Sequence, residues 1–543
     1  MKTRLRLSAL LLAMVCAGCG GDGAGDPPAP YSLIAWNDLG MHCIDNDYSV
    51  FAILPPYNNL HAQLIDRQTG KQVTAGVTVT YTATADTRGS INSTSKGKTN
   101  FWQWVSSLFG VTLPADTGLT GNRTPGAAPA PMSYDPAAGF WKADGIPILP
   151  RDDAGTPNYY PMVKVEARDG RGVLIATTFT VLPVSDELAC SKCHTSGVGD
   201  PMAQPSPDWV FDANPVKDWR RNILRLHDTK NGATPLYADA LAQKGYLPAG
   251  LLATSDAGTP ILCAGCHPSN ALGTTGVAGV KQLTTSMHSW HAVNAMDDAT
   301  GMPLGQTMDR SGCYYCHPGS TTQCLRGVMG NAKNPDGSSA LECQSCHGSM
   351  SVVGGVGRAG WIDLPKCQYC HYQATDGTYV RDTSAFDLSG NFRQATSIFS
   401  TGQALFKVGA THGNMQCEAC HGSTHAEYPS SEDNDNAQSI NLQGYAGTIA
   451  ECVVCHPQGF SPSAAGGPHG LHTIGAAWVD THGSVAKDDS QACTVCHGKD
   501  YRGTRLSRTF TARSLRTTSA GMKAYAKGDM VGCYDCHNGP GGK

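Results

Sequence analysis

Nine times along this chain, two cysteines stand three positions apart with a histidine directly behind the second. The groups are Cys190, Cys193 and His194; Cys263, Cys266 and His267; Cys313, Cys316 and His317; Cys343, Cys346 and His347; Cys367, Cys370 and His371. They continue with Cys417, Cys420 and His421; Cys452, Cys455 and His456; Cys493, Cys496 and His497; and Cys533, Cys536 and His537. C-x-x-C-H is the attachment signature of a c-type haem. The thiols add across the porphyrin vinyl groups as thioethers, and the adjoining histidine ligates iron as proximal ligand. Zinc sites and redox dithiols also use C-x-x-C, but neither needs a histidine after every copy. The expected cofactors are therefore nine haem c groups.

The second axial ligand decides what such irons can do. An iron closed by two histidines has no position for a substrate, whereas a five-coordinate iron can bind and transform one. Of 19 histidines, ten lie outside the motifs. His412 and His425 flank the sixth motif, His469 and His472 follow the seventh, and His482 precedes the eighth. His288 and His291 are one helical turn apart and can leave one helix face toward two neighbouring haems. His227 closes a predicted short helix. With His42, these make nine candidate distal ligands for nine irons, leaving His61 spare. Full closure favours pure electron transfer. One open iron would instead give an oxidoreductase acting on a small nitrogen or sulfur compound, and a histidine shared between copies would give a filament subunit.

These ligands need a scaffold. The third, fourth and fifth motifs begin at 313, 343 and 367, too close for each haem to have its own hydrophobic domain. Residues 186–543 are therefore expected to form a loop-rich, mainly short-helical cytochrome c domain whose core is the packed haems. Residues 31–185 carry no motif. "GVTVTYTATA" alternates with period two, and "MVKVEARDGRGVLIATTFTVLPV" reads as two strands about a turn at "DGRG". The expected class is an antiparallel β-sandwich-like domain, with long loops over about 84–160. Within it Met41, His42, Cys43 and the later His61 are a candidate set of soft ligands that would suit copper. Cys43 and Cys324 are left outside the motifs; in an oxidising compartment they either form a disulfide or stand as two separate thiols.

Lys2, Arg4 and Arg6 precede a short apolar stretch, which reads as an export signal over 1–18. "CAGC" would place an acylated Cys19 at the start of the mature chain, held to a membrane by its lipid; cleavage near Ala17 is the alternative. Residues 19–30 read as a flexible tether. The net charge of −4 offers no basic tract for nucleic acid.

Residues 190–537, through "CYYCHPGSTTQCLRGVMG", "CHGKDYRGTRLSRTF" and "CYDCHNGP", resemble the multihaem c-type cytochromes of dissimilatory metal-reducing bacteria of the Geobacter type. The "AWNDLGMHC" front is similar to a module found with them. The resemblance implies an exported or outer-membrane electron carrier. Its partners would be other cytochromes or redox proteins, with Fe(III) or Mn(IV) oxides as terminal acceptors.

Overall fold

A computed structural model describes residues 29–358 apart from Gly199, 371–373, 379–381, 415–457 and most of 476–540. The expected signal sequence, Cys19 and most of the tether lie outside the described residues.

The front alternates short strands and turns: β1 (Tyr31–Trp36), β2 (His42–Cys43), β3 (Phe51–Ala52), β4 (Asn58–Asp66), β5 (Lys71–Gln72), β6 (Val77–Ala83), α1 (Phe101–Phe109), β7 (Ala130–Pro131), β8 (Ser133–Asp135), β9 (Phe140–Ile146), β10 (Met162–Asp169), β11 (Leu174–Val181) and β12 (Val184–Ser185). They build one antiparallel sheet in the order β1-β4-β9-β8, with β5 on β4, and a second in the order β11-β10-β6-β7. Alternation turns Leu60, Ala62 and Leu64 of the first sheet, with Val163, Val165 and Ala167 of the second, into one shared core. The expected "DGRG" hairpin is present. Asp169 accepts hydrogen bonds from Arg171 N and Val173 N, and Gly172 takes φ +82°, which a side chain would resist.

The stretch 84–160 is more ordered than expected. It carries α1 and three strands, β9 being central to its sheet. Strand β9 (FWKADGI) puts Trp141 and Ala143 inward but Lys142 and Asp144 outward. Its alternation is real, but Ala and Gly on the inner face make it faint in sequence. Helix α1 buries Phe101, Val105 and Leu108, an i, i+4, i+7 stripe.

The remainder is short-helical: α2 (Ser191–His194), α3 (Pro215–Asn231), α4 (Pro235–Lys244), α5 (Leu251–Asp256), β13 (Ile261–Leu262), α6 (Cys263–Cys266), α7 (Leu283–Asn294), α8 (Cys343–His347), α9 (Met350–Val353), β14 (His371–Gln373), β15 (Tyr379–Arg381), α10 (Cys417–His421), α11 (Asp433–Gln443), α12 (Ala476–Asp488), α13 (Thr494–His497), β16 (Arg513–Thr517) and β17 (Gly521–Tyr525). Helix α3 is longer than expected around His227, because Asn214 caps Val216 N and Pro215 sits at its first position.

The two regions interlock. Strand β13 pairs with β3, and Val50 and Phe51 share a cluster with Trp219, Leu224 and Ile261. Asp45 and Arg220, both buried, lie 3.6 Å apart. The edge of β1 is covered by α11: Gln438 Oε1 accepts from Ala35 N at 2.7 Å, and Gln438 Nε2 donates to Ala35 O at 2.9 Å, as a neighbouring strand would.

Candidate haem-binding sites

Five motifs whose bonds are described close as a single helical turn. The N–H of His194, His267, His317, His456 and His537 donates to the carbonyl of the first cysteine, at 2.8–3.0 Å. Helices α8 and α10 are themselves the fourth and sixth motifs. One turn puts cysteines three apart on the same side, with the histidine just beyond. That is the arrangement two thioethers and an axial ligand require.

The fold then brings distant histidines to these turns. Ring centres lie 6.4 Å apart for His194 and His291, 6.3 Å for His227 and His267, and 6.1 Å for His288 and His317. His347 and His425 stand at 6.1 Å, and His482 and His537 at 5.9 Å. Each pair joins one motif histidine to one histidine from outside the motifs. Two imidazoles bound to one metal through nitrogens at about 2 Å each have ring centres roughly 6 Å apart. The donors therefore fit a six-coordinate haem iron.

The ring nitrogens are set for the same task. Nδ1 of His267 donates to Lys281 O, His288 to Thr284 O, His291 to Met287 O, His482 to Val479 O, His497 to Val531 O and His537 to Gly539 O, at 2.6–2.8 Å. A carbonyl only accepts, so Nδ1 carries the proton and the Nε2 lone pair is left for metal. Burial, reinforced by the facing ring, presses His194 and His227 down to about 4 and His347 to about 3. All three are neutral at pH 7, the form that ligates.

Comparison with known proteins finds cytochromes. Residues 336–542 match the family described as outer membrane cytochrome MtrC/MtrF-like, domains II/IV, and residues 262–348 match cytochrome c554 and c-prime. The chain is a multihaem c-type cytochrome. The C-type polyheme cytochrome OmcB of Geobacter sulfurreducens, in two strains, is 26% identical over 227 residues. That alignment spans 37% of this chain and only 27% of the relative. No solved structure gives a significant match.

Within the cytochrome, the motifs neighbour one another out of chain order. Lys192 Nζ of the first motif lies 4.9 Å from the ring centre of Tyr315 in the third, so these two motifs stand side by side. Gln344 Nε2 of the fourth motif donates to Thr307 O at 3.2 Å and Arg310 pairs with Glu342 at 2.6 Å, joining the third motif to the fourth. Cys190 and Cys263 pack against the same apolar cluster, which brings the second motif to the first. Cys420 and Cys455 pack against one apolar cluster, bringing the sixth to the seventh, and the bond from His497 Nδ1 to Val531 O, just before Cys533, brings the eighth to the ninth. Helix α7 spans one of these junctions, sending His291 to the first motif and His288 to the third.

Other expected residues fall differently. His42 is buried in β2, edge-on to Tyr57, with Nε2 donating to Pro55 O at 3.2 Å. The nitrogen that the paired histidines keep for metal is turned in His42 to a carbonyl. His61 stacks on Phe140, with Nε2 3.1 Å from Asp144 Oδ1. The copper reading of Met41, His42, Cys43 and His61 fails, because among the described residues no three His, Cys, Asp or Glu side chains gather around a metal position. Cys43 and Cys324 are not joined by a disulfide. Their segments meet at one seam: Cys43 pairs with Ser185, whose Oγ lies 3.0 Å from Thr322 Oγ1. His412, His469, His472, Cys367 and Cys370, and the side chains of His371 and Cys496, lie outside the described residues.

The residues that sequence reasoning missed support the ligands rather than supply them. Glu187 accepts from the backbone N–H of Gly319, Ser320, Thr321 and Thr322, fixing the loop behind the third motif. Gly40 and Gly70 of the front approach the rings of His425 and His456 so closely that a Cβ at either would collide.

Proposed function

We propose that this cytochrome holds nine haem c groups, one on each C-x-x-C-H motif, and conducts electrons through them to other cytochromes and to extracellular metal oxides. The observation that carries the reading is the set of five motif–distal histidine pairs at 5.9–6.4 Å. In it His194, His267, His317, His347 and His537 are proximal ligands, and His291, His227, His288, His425 and His482 are their distal partners. His371, His421, His456 and His497 are the remaining proximal ligands. His412, His469 and His472 are proposed distal ligands among them, with His42 the weakest candidate.

A haem iron with two histidine ligands exchanges one electron and has no open position. The chain's own part is to hold each imidazole neutral, aim its Nε2, exclude water, and set the motifs edge to edge. Motif contacts support one run in the order second, first, third, fourth, with further junctions between sixth and seventh and between eighth and ninth. The domain division at 185/186 belongs to this proposal. So does attachment at the outer membrane or cell surface through lipidated Cys19, which draws support from the outer-membrane description of the matching family. Among the described residues no helix is long and apolar enough to cross a membrane.

Protein-film voltammetry of the holoprotein tests the reading. The expected result is a broad reversible envelope integrating to nine electrons per molecule, unchanged by nitrite, hydroxylamine or sulfite. A catalytic wave with any of these, or a smaller integral, would contradict it.

A further inference from the structure

Cys324 is a half-buried thiol outside every motif, set beside the proposed haem sites. Its Sγ lies 3.5 Å from Nδ1 of His425, the histidine facing His347 of the fourth motif. The six Nδ1 bonds described above all end on backbone carbonyls. His425 Nδ1 ends on sulfur.

His425 is also held in an unusual backbone state. Its φ is +66°, in the left-handed region that non-glycine residues rarely occupy. Such a conformation persists only where the surroundings over-determine it, and here they do. Arg326 N and Gly327 N both donate to His425 O, at 2.8 and 2.7 Å, and His425 N donates to Glu427 Oε1 at 2.9 Å. Arg326 is 1% exposed. It grips Asp435 with two bonds of 2.6 and 2.9 Å, and its Nη1 donates to Cys324 O at 3.1 Å. The segment 324–327 is thus a clamp: its backbone fixes the His425 main chain, and its first side chain meets the ring. From the front, Gly40 presses in so closely that a Cβ there would sit 2.5 Å from His425 Nδ1.

We infer that Cys324 is a positioning residue for the distal ligand of the fourth haem, accepting a hydrogen bond from His425 Nδ1 and thereby lowering that haem's potential relative to an unpartnered ligand. This rests on reading His347 and His425 as an axial pair. With Nε2 on iron, Nδ1 bears the proton, so sulfur is the acceptor. An acceptor at Nδ1 makes the imidazole a stronger donor, which favours ferric over ferrous iron. Removing it shifts the balance toward ferrous.

The test is a spectroelectrochemical titration of the full holoprotein with electron paramagnetic resonance at each poise, for wild type, Cys324→Ala, Cys324→Ser and His425→Ala. Cys324→Ala should move one redox component upward and leave the others in place, with every iron still low-spin. Cys324→Ser, whose hydroxyl can also accept, should bring that component back toward wild type. A Cys324→Ala titration superimposable on wild type would overturn the inference, as would finding Cys324 bonded to Cys43 in non-reduced peptides. Should Cys324→Ala fail to load haem, Gly40→Ala must shift the same single component by pressing on the ring. His425→Ala separates the two levels: one new high-spin iron upholds the axial pair, whereas none removes the pair and the inference together.

Discussion

The front and the motif region bury different things. The front has a large apolar core made from its own two sheets, with Leu60, Leu64, Val163 and Val165 almost wholly enclosed. Among the described residues, the one apolar cluster drawn solely from residues beyond 185 is Ala292, Leu304 and Met350. The larger clusters that contain motif-region residues borrow Phe51, Tyr48, Phe101 or Trp36 from the front. The described part of this region, with so few apolar clusters of its own, needs another source of burial. On the proposed reading, covalently attached haem is that source, and the front is both a self-sufficient unit and a wall against which the haem sites are set.

The most severe way to break this contrast is to withhold the cofactor. Produced without haem attachment, residues 186–543 should lose protease protection throughout, while a fragment covering about 31–185 survives; mass mapping of limited digests reads both. Next in size is a cavity in the front. Leu60→Ala should cost about 2–5 kcal/mol in denaturant unfolding of the front while leaving the haem potentials unchanged. A smaller effect is expected at the seam. Gln438→Ala strips both partners from buried Ala35 and should cost about 1–3 kcal/mol, with faster hydrogen exchange at the Ala35 amide.

The mildest effect is a pH dependence at the joint. Burial opposes ionisation of Glu187, but hydrogen bonds from Ser320, Thr321 and Thr322 hold its pKa down, from 4.5 to about 2. A depressed carboxylate contributes fully above its unfolded value, and that contribution is lost as pH falls through about 2. Acid unfolding of Glu187→Gln should therefore differ from wild type at pH 5 and converge with it toward pH 2.

The chemistry of the sites was legible in sequence because c-type attachment is local. Five residues, Cys-x-x-Cys-His, form one turn and declare the cofactor without reference to the fold. The helical spacing of His288 and His291 suggests one face toward two neighbouring haems, and in α7 their rings stand opposite His317 and His194. Pairing was not legible. His482 precedes the eighth motif in the chain but faces His537 of the ninth, and His425 follows the sixth but faces His347 of the fourth. Those choices are made by tertiary contacts, such as the clamp of 324–327 on His425, that no local pattern encodes. In the front, strong β-branched alternation exposed β6, β10 and β11. Strand β9 escaped because its inward positions include Ala143 and Gly145, whose small side chains carry little hydropathy signal.

The central claim is that the irons are closed by paired histidines. It is tested most directly by reducing the holoprotein with dithionite, adding carbon monoxide and recording the Soret band. The account predicts no change. A shift equivalent to one haem would show an open iron, contradict full closure, and turn attention to a motif without a histidine partner.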